Sequence, residues 1–405
     1  MVAFLNDPFT WTGNLLRSWL EGLGLAPDLV TFLLQVLGAL ILGTALLMLT
    51  FILIWAERKI VARIQDRLGP NRVGPFGVFQ TVADLLKLVT KELITPTGAD
   101  IVPYNLAPLL AVMAVVGIWA VIPLAPTLIG AHINIGVLYI VAVGAIGTLG
   151  IMVAGMSSNN KYALLGAFRT VAMMVSYAVP MMIALLIPVL LSGSMDMETI
   201  VKAQSPIAFI ILAPIAALIF FTSSLAEVGR APFDLLEAES EIVAGFHIEY
   251  SGLKFGMFFV AEFLHAFTIS ALTATLFLGG WRGPWAELYP LLGLFYFFIK
   301  TSIVYFVVIW IRGSFPRIRI DHMNNLNWKF ITPLAMASLI FTAIAEKVAT
   351  EYGINRLGIH VGASIFLLLI TLAAIRFNAR AERSRVKASG VNKTVAASSG
   401  SSQGS

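Results

Sequence analysis

Leu29 to Trp55 reads LVTFLLQVLGALILGTALLMLTFILIW, a stretch without one charged side chain. As a helix rising 1.5 Å per residue it reaches about 40 Å, longer than the ~30 Å hydrocarbon core of a bilayer. Further apolar runs recur near residues 105–126, 134–156, 169–191, 206–226, 254–278, 288–311, 328–346 and 357–376. The chain of 405 residues is 58% hydrophobic and 12% charged, with a mean hydropathy of +0.88. The runs are continuously apolar rather than alternating, which argues against a barrel. The expected fold is all-α: a polytopic helical membrane protein of about nine transmembrane helices plus interfacial amphipathic helices.

The chain has no cysteine, so disulfides and thiolate-held metals or iron–sulfur clusters are excluded for it. His132, His247, His265, His322 and His360 are scattered without ligand spacing. No Walker loop and no glycine fingerprint after a strand appears, so nucleotide binding has no support. No cofactor is expected on this chain. The first 27 residues lack the pattern of a removable signal. The formal charge of +5 fits membrane topology better than nucleic acid. The loops after runs one, three, five and seven, with the tail, carry most of the 27 Lys and Arg. The opposite loops hold only Arg17, Lys202, Arg282, Lys347 and Arg356. That bias puts the N-terminus outside and the C-terminus in the cytoplasm of a cell membrane. The domain organisation read from this is an N-terminal segment over 1–27, a transmembrane domain over 28–377 and a disordered basic, Ser/Gly-rich tail over 378–405. Cytoplasmic loops are expected at 56–104 and 227–253.

Three regions carry chemistry. In AERKIVARIQDRLGPNRVGPFG (56–77), Ile60, Ile64 and Leu68 recur at four-residue spacing among basic residues, the pattern of an interfacial amphipathic helix. A second such helix follows, with Val78, Val82, Leu85 and Val89 on one face and Asp84, Lys87 and Lys91 opposite. Asp84 either pairs with Lys87 at the headgroups or belongs to an opening framed by the two helices, through which an amphiphilic substrate enters sideways. The second region gathers Glu227, Asp234, Glu237, Glu239, Glu241 and Glu249 in one loop, interleaved with Phe233, Leu235, Leu236, Ile242, Val243 and Phe246. It is either a solvated acidic face for a basic partner or a partly buried cluster that exchanges protons near neutral pH. The third comprises Glu262 and Lys300 inside two consecutive antiparallel runs. Either charge alone at mid-membrane costs about 2.5–3.5 kcal/mol, so a mutual pair is the expectation.

These segments are similar to a known family. Together with ADLLKLVTKE (83–92), SNNKYALLGAFR (158–169), AEVGRAPFDLLEAESEIVAGFHIEYSGLKF (226–255), AEF (261–263) and FPRIRIDHMNNLNWKFITP (315–333), the first loop resembles the H (chain 1) subunits of proton-translocating NADH:quinone oxidoreductase, respiratory complex I. The resemblance covers about 50 to 335 in order. It implies a membrane subunit forming the quinone-access chamber at the junction with the peripheral arm, coupling quinone reduction to proton translocation. It also implies an enzyme subunit without a redox centre, whose quinone is a substrate and whose NADH, FMN and iron–sulfur clusters sit on partner subunits. The implied partners are the hydrophilic peripheral-arm subunits, other membrane-arm subunits and the bilayer, with no nucleic acid. By resemblance Glu57, Arg58, Asp66 and Arg67 lie near the chamber entrance, with Asp84 and Phe233 beside it. Glu227, Asp234, Glu237, Glu239, Glu241 and Glu249 then form an acidic funnel that continues to Glu262 and Lys300. One departure stands out: where the family usually reads SYE, this chain has Ser176-Tyr177-Ala178. A related membrane subunit of an energy-converting hydrogenase or other-donor dehydrogenase is the alternative. A free-standing ion-coupled transporter would require paired halves that the sequence does not display.

Overall fold

The computed structural model describes residues 7–234, 245–353, 355–373 and 376. Among them, eight helices are long and apolar enough to cross a membrane, and no strand is present beyond one isolated bridge, Ala125 to Leu128. The helical class expected from the sequence holds. A first helix, α1 (Pro8–Gly22), is capped by the Asp7 carboxylate, which accepts from the backbone N–H of Phe9 and Thr10.

The long first run forms α2 (Pro27–Ile64), and here the structure corrects the sequence reading. The stretch 57–64 is not a separate interfacial helix. Nothing between Trp55 and Ile64 breaks the backbone ladder, so the transmembrane helix continues past the apolar segment. The second amphipathic helix exists as α3 (Gln80–Thr90), with Val82, Leu86 and Val89 exposed along it. That stripe, like Leu33, Leu37, Leu40, Ile41 and Met48 on α2, suits contact with lipid rather than water.

The following helices are α4 (Ile101–Ile118), α5 (Gly136–Ser157), α6 (Lys161–Ser192) and the short α7 (Met197–Ala203). Pro180 and Pro188 stay inside α6 without ending it. The run at 206–226, expected as one span, is broken into α8 (Phe209–Leu212) and α9 (Pro214–Val228). Ala213 between them sits at φ −136, ψ 64, because the residue before proline is driven out of the α region and Pro214 offers no N–H. At fifteen residues α9 reaches only about 22 Å. The broken segment still traverses the bundle. Gln204, before it, donates to Thr275 O at 2.8 Å, whereas Arg230, after it, pairs with Glu57 and Glu262.

Next come α10 (Gly252–Phe277), α11 (Pro290–Ser314), α12 (Ile320–Tyr352) and α13 (Arg356–Ala373). Helix α10 is the hub of the first compact unit, which extends to Leu339, and packs against α2, α3, α4, α9 and α11. Along α12 a π turn at Asn327–Ile331 marks where Asn327 leaves the regular ladder to donate to Ser176 O at 2.7 Å. In the second unit, from Ile340 onward, Glu346 accepts from Arg356 Nε at 3.0 Å and lies 2.8 Å from His360 Nε2, tying α13 to the end of α12.

Candidate functional site

The site grows from the sequence EVGRAPF at the end of α9. Gly229 takes φ 74, the left-handed cap that turns the chain out of the helix, and the Phe233 N–H closes a turn onto Arg230 O at 2.9 Å. That turn drives Arg230 into the bundle, where its side chain is 3% exposed. Its Nη1 donates to Glu57 Oε1 of α2 at 2.7 Å, and its Nε lies 3.0 Å from Glu262 Oε1 of α10. The second contact is off the N–H axis, so it is an ion pair rather than a hydrogen bond. The guanidinium also stacks over Phe263, 4.4 Å from the ring centre. From α11, Arg312 pairs with Glu57, and the Tyr305 hydroxyl donates to Glu57 Oε2 at 3.3 Å.

Two carboxylates and two guanidiniums from four elements thus share one partly buried cluster. Its charges balance two against two, which offsets part of the cost of removing them from water, while Arg230 Nη2 makes no hydrogen bond among the described residues. Glu57, expected near the chamber entrance, is 5% exposed and held by these contacts. Its neighbour Arg58 lies about 100° around the helix and faces outward to Asp84 on α3, at 2.5 Å. Asp84 reaches Lys87 only at 3.4 Å, so its main partner is Arg58. Partial burial raises the Asp84 pKa, but the Arg58 hydrogen bond and charge outweigh it and hold the carboxyl below its usual range. Asp66 and Arg67 are exposed just beyond α2, with Arg67 Nε on Gln65 Oε1 at 2.7 Å. Arg58, Arg67 and Arg72 line an open groove between the end of α2 and α3, with Leu68, Pro70 and Gln80.

A partly open cavity of about 80 Å³ lies on the other side of Glu262, between α4, α5, α9 and α10. Glu227, His247, Glu262 and His265 all line it, among apolar side chains such as Ala114, Ile151 and Phe258. Glu227 is 8% exposed, and no hydrogen bond or ion pair reaches it among the described residues. In the loop before α10, burial pushes the His247 imidazole down to about 4.

The remaining predicted residues are distributed differently. Glu249 is half-buried and accepts from Asn160 Nδ2 at 2.6 Å, while its backbone oxygen accepts from Tyr104 at 2.7 Å. Tyr104 and Tyr250 stack at 4.2 Å, and burial pushes the Tyr250 phenol up to about 12. Gly166 lets this loop lie against α6; a Cβ there would meet Gly245 at 2.8 Å. Phe233 is 4% exposed and packs 5.4 Å from Tyr177, in the core. Asp234 is half-buried at the end of the described turn. Glu237, Glu239 and Glu241 lie outside the described residues. The expected Glu262–Lys300 pair is corrected. Lys300 Nζ donates to Leu278 O at 2.8 Å and Arg282 O at 2.7 Å, capping the far end of α10. Side chains lean toward the N-terminus of their own helix, which on α11 carries Lys300 away from Glu262. Glu262→Gln and Lys300→Met should therefore be additive within about 0.5 kcal/mol in a stability double-mutant cycle on the purified protein. Coupling above that would restore the pair.

Arg230 as the centre, Arg312 and Tyr305 were missed from the sequence. A signal existed: Tyr305 and Arg312 are seven residues apart on α11, on the stripe with buried Thr301 and Val308.

A family profile described as NADH dehydrogenase matches residues 37–343, which include every residue of the cluster and both carboxylates of the cavity. The chain belongs to that family. The NADH-quinone oxidoreductase H subunit of Dehalococcoides mccartyi strain CBDB1 is 46% identical over 320 residues, covering 79% of this chain and 89% of its own. The H subunits of Geobacillus kaustophilus (43% over 333 residues, 82% and 99% covered) and Carboxydothermus hydrogenoformans (44% over 330 residues, 81% and 93% covered) are similar to it as well. This subunit of NADH-quinone oxidoreductase is thus a multi-pass membrane protein that works within an enzyme complex.

Proposed function

We propose that this subunit forms the quinone-access chamber where the membrane part of the complex meets its peripheral arm, and that its buried carboxylates couple quinone reduction to proton movement. The observation that carries the reading is the charge chain Glu57–Arg230–Glu262, which ends at the cavity holding Glu227. Such a chain inside an apolar bundle costs free energy without helping insertion, and buried ionisable groups in spans characteristically line ion paths. The groove between α2 and α3, apolar in part and rimmed by Arg58, Arg67 and Arg72, supports sideways access for an amphiphilic quinone; Asp84 holds the rim residue Arg58, and Asp66 precedes Arg67 in the chain.

On this reading Glu237, Glu239 and Glu241, with Asp234 and Glu249, continue the acidic side of the path. The N-terminus lies outside, the C-terminus in the cytoplasm, and the cytoplasmic loops dock hydrophilic subunits that carry FMN and iron–sulfur clusters. A tagged chain isolated in mild detergent should bring down flavin and iron–sulfur subunits and show NADH-driven quinone reduction sensitive to quinone-site inhibitors. An active chain obtained alone, or hydrogenase-type partners, would overturn the proposal.

A further inference from the structure

A second, partly open cavity of about 250 Å³ adjoins the first and runs between α5, α6, α9 and α10. The two share a wall made of Ile118, Gly144, Thr148, Met174, Glu227 and His265. Gly144 contributes no side chain, and a Cβ there would meet open space, so the helices leave room between the two. Within the second cavity Glu227 and His265 are the only titratable lining residues among those described, and α5 and α6 contain no acid anywhere. His265 sits deep in the hub helix α10 yet is only half-buried, because its open side faces cavity space. Glu262 and His247 line the first cavity alone, with Arg230 beside Glu262, whereas Glu227 and His265 line both.

We propose that His265 exchanges protons between Glu227 and water held in this second cavity, extending the path into a part of the bundle that has no carboxylate of its own. The inference rests on the proton-coupling function proposed above. A buried water needs a cavity of roughly 10–15 Å³ or more and two to four polar partners. The Glu227 carboxyl, the His265 ring and the Thr148 oxygen, whose proton already goes to Ala145 O at 2.8 Å, supply them. The imidazole suits the task because it has two nitrogens. It accepts a proton on one, releases a proton from the other to water, and is left as the opposite tautomer, which ring rotation or the reverse transfer resets. One proton enters and one leaves; no electron moves and no bond to carbon changes.

Ala178 of α6 lines the second cavity and offers a place to test the idea by rescue. In the whole complex reconstituted into vesicles, His265→Gln should lower NADH-driven proton transport by about 100-fold, the scale of losing one positioned proton-transfer group. Adding Ala178→Glu in the same chain should recover at least half of it, by returning a protonatable group to the same space. His265→Asn serves as a second variant if the glutamine form assembles poorly. Assembled His265→Gln complex with wild-type transport would overturn the inference. So would a double variant that assembles and transports no better than the single one. Wild-type complex unable to reduce quinone with NADH would instead overturn the underlying functional proposal.

Discussion

Replacing Glu227 by Gln is expected to lower NADH-driven quinone turnover of the assembled complex on the order of 100-fold. Glu227 is the carboxylate that both cavities share, and it is buried without an ion-pair partner among the described residues. Gln keeps the volume and a hydrogen-bonding amide but cannot take up or release a proton. Because no guanidinium depends on Glu227, the change leaves no orphaned charge, and folding and assembly should be preserved. Glu227→Asp, which keeps the acid one methylene shorter, should retain much of the rate. The check is NADH oxidation with added quinone on complexes matched for subunit content. Turnover within twofold of wild type in Glu227→Gln would remove this residue from the coupling path.

The second large effect is structural. Arg230→Met is expected to destabilise the protein by about 3–5 kcal/mol, because it leaves Glu57 and Glu262 buried with their shared cation gone. Arg312 still reaches Glu57. Adding Glu262→Gln to Arg230→Met should recover part of the loss, since it removes one of the two carboxylates that the guanidinium had offset. Unfolding in denaturant, followed in detergent with both single variants and the double variant, measures this. An Arg230→Met protein as stable as wild type would mean that the cluster contributes nothing to holding α2, α9 and α10 together.

How much of this could be read from the residues differs by feature. The spans were legible because a bilayer demands about 20 apolar residues in a row, a rule that few tertiary contacts can override. The break at Ala213 was signalled only by Pro214, and Pro180 and Pro188 give the same signal inside an unbroken α6. Proline marks where a helix can lose a hydrogen bond; packing decides whether it ends. The extension of α2 past Trp55 was hidden because its amphipathic period also describes an interfacial helix. Glu262 and Lys300 are partly buried ionisable groups in neighbouring helices, but depth alone did not fix the direction of a long side chain. Lys300 reached the carbonyls at the end of α10, and Glu262 found Arg230. In the sequence Arg230 is one of two basic residues, with Lys254, near the acids. Its role needs the turn at Gly229 and the three-dimensional meeting of α2, α10 and α11. His265 carried no motif; only the cavities on both sides of it set it apart.

The central claim is that proton movement depends on this buried path, and it is tested most directly by following vesicle acidification alongside NADH oxidation in membranes carrying the wild-type or Glu227→Gln chain. The expected result is acidification by wild type that a quinone-site inhibitor abolishes, and its loss in the variant despite full assembly. Acidification by Glu227→Gln at the wild-type rate would contradict the claim.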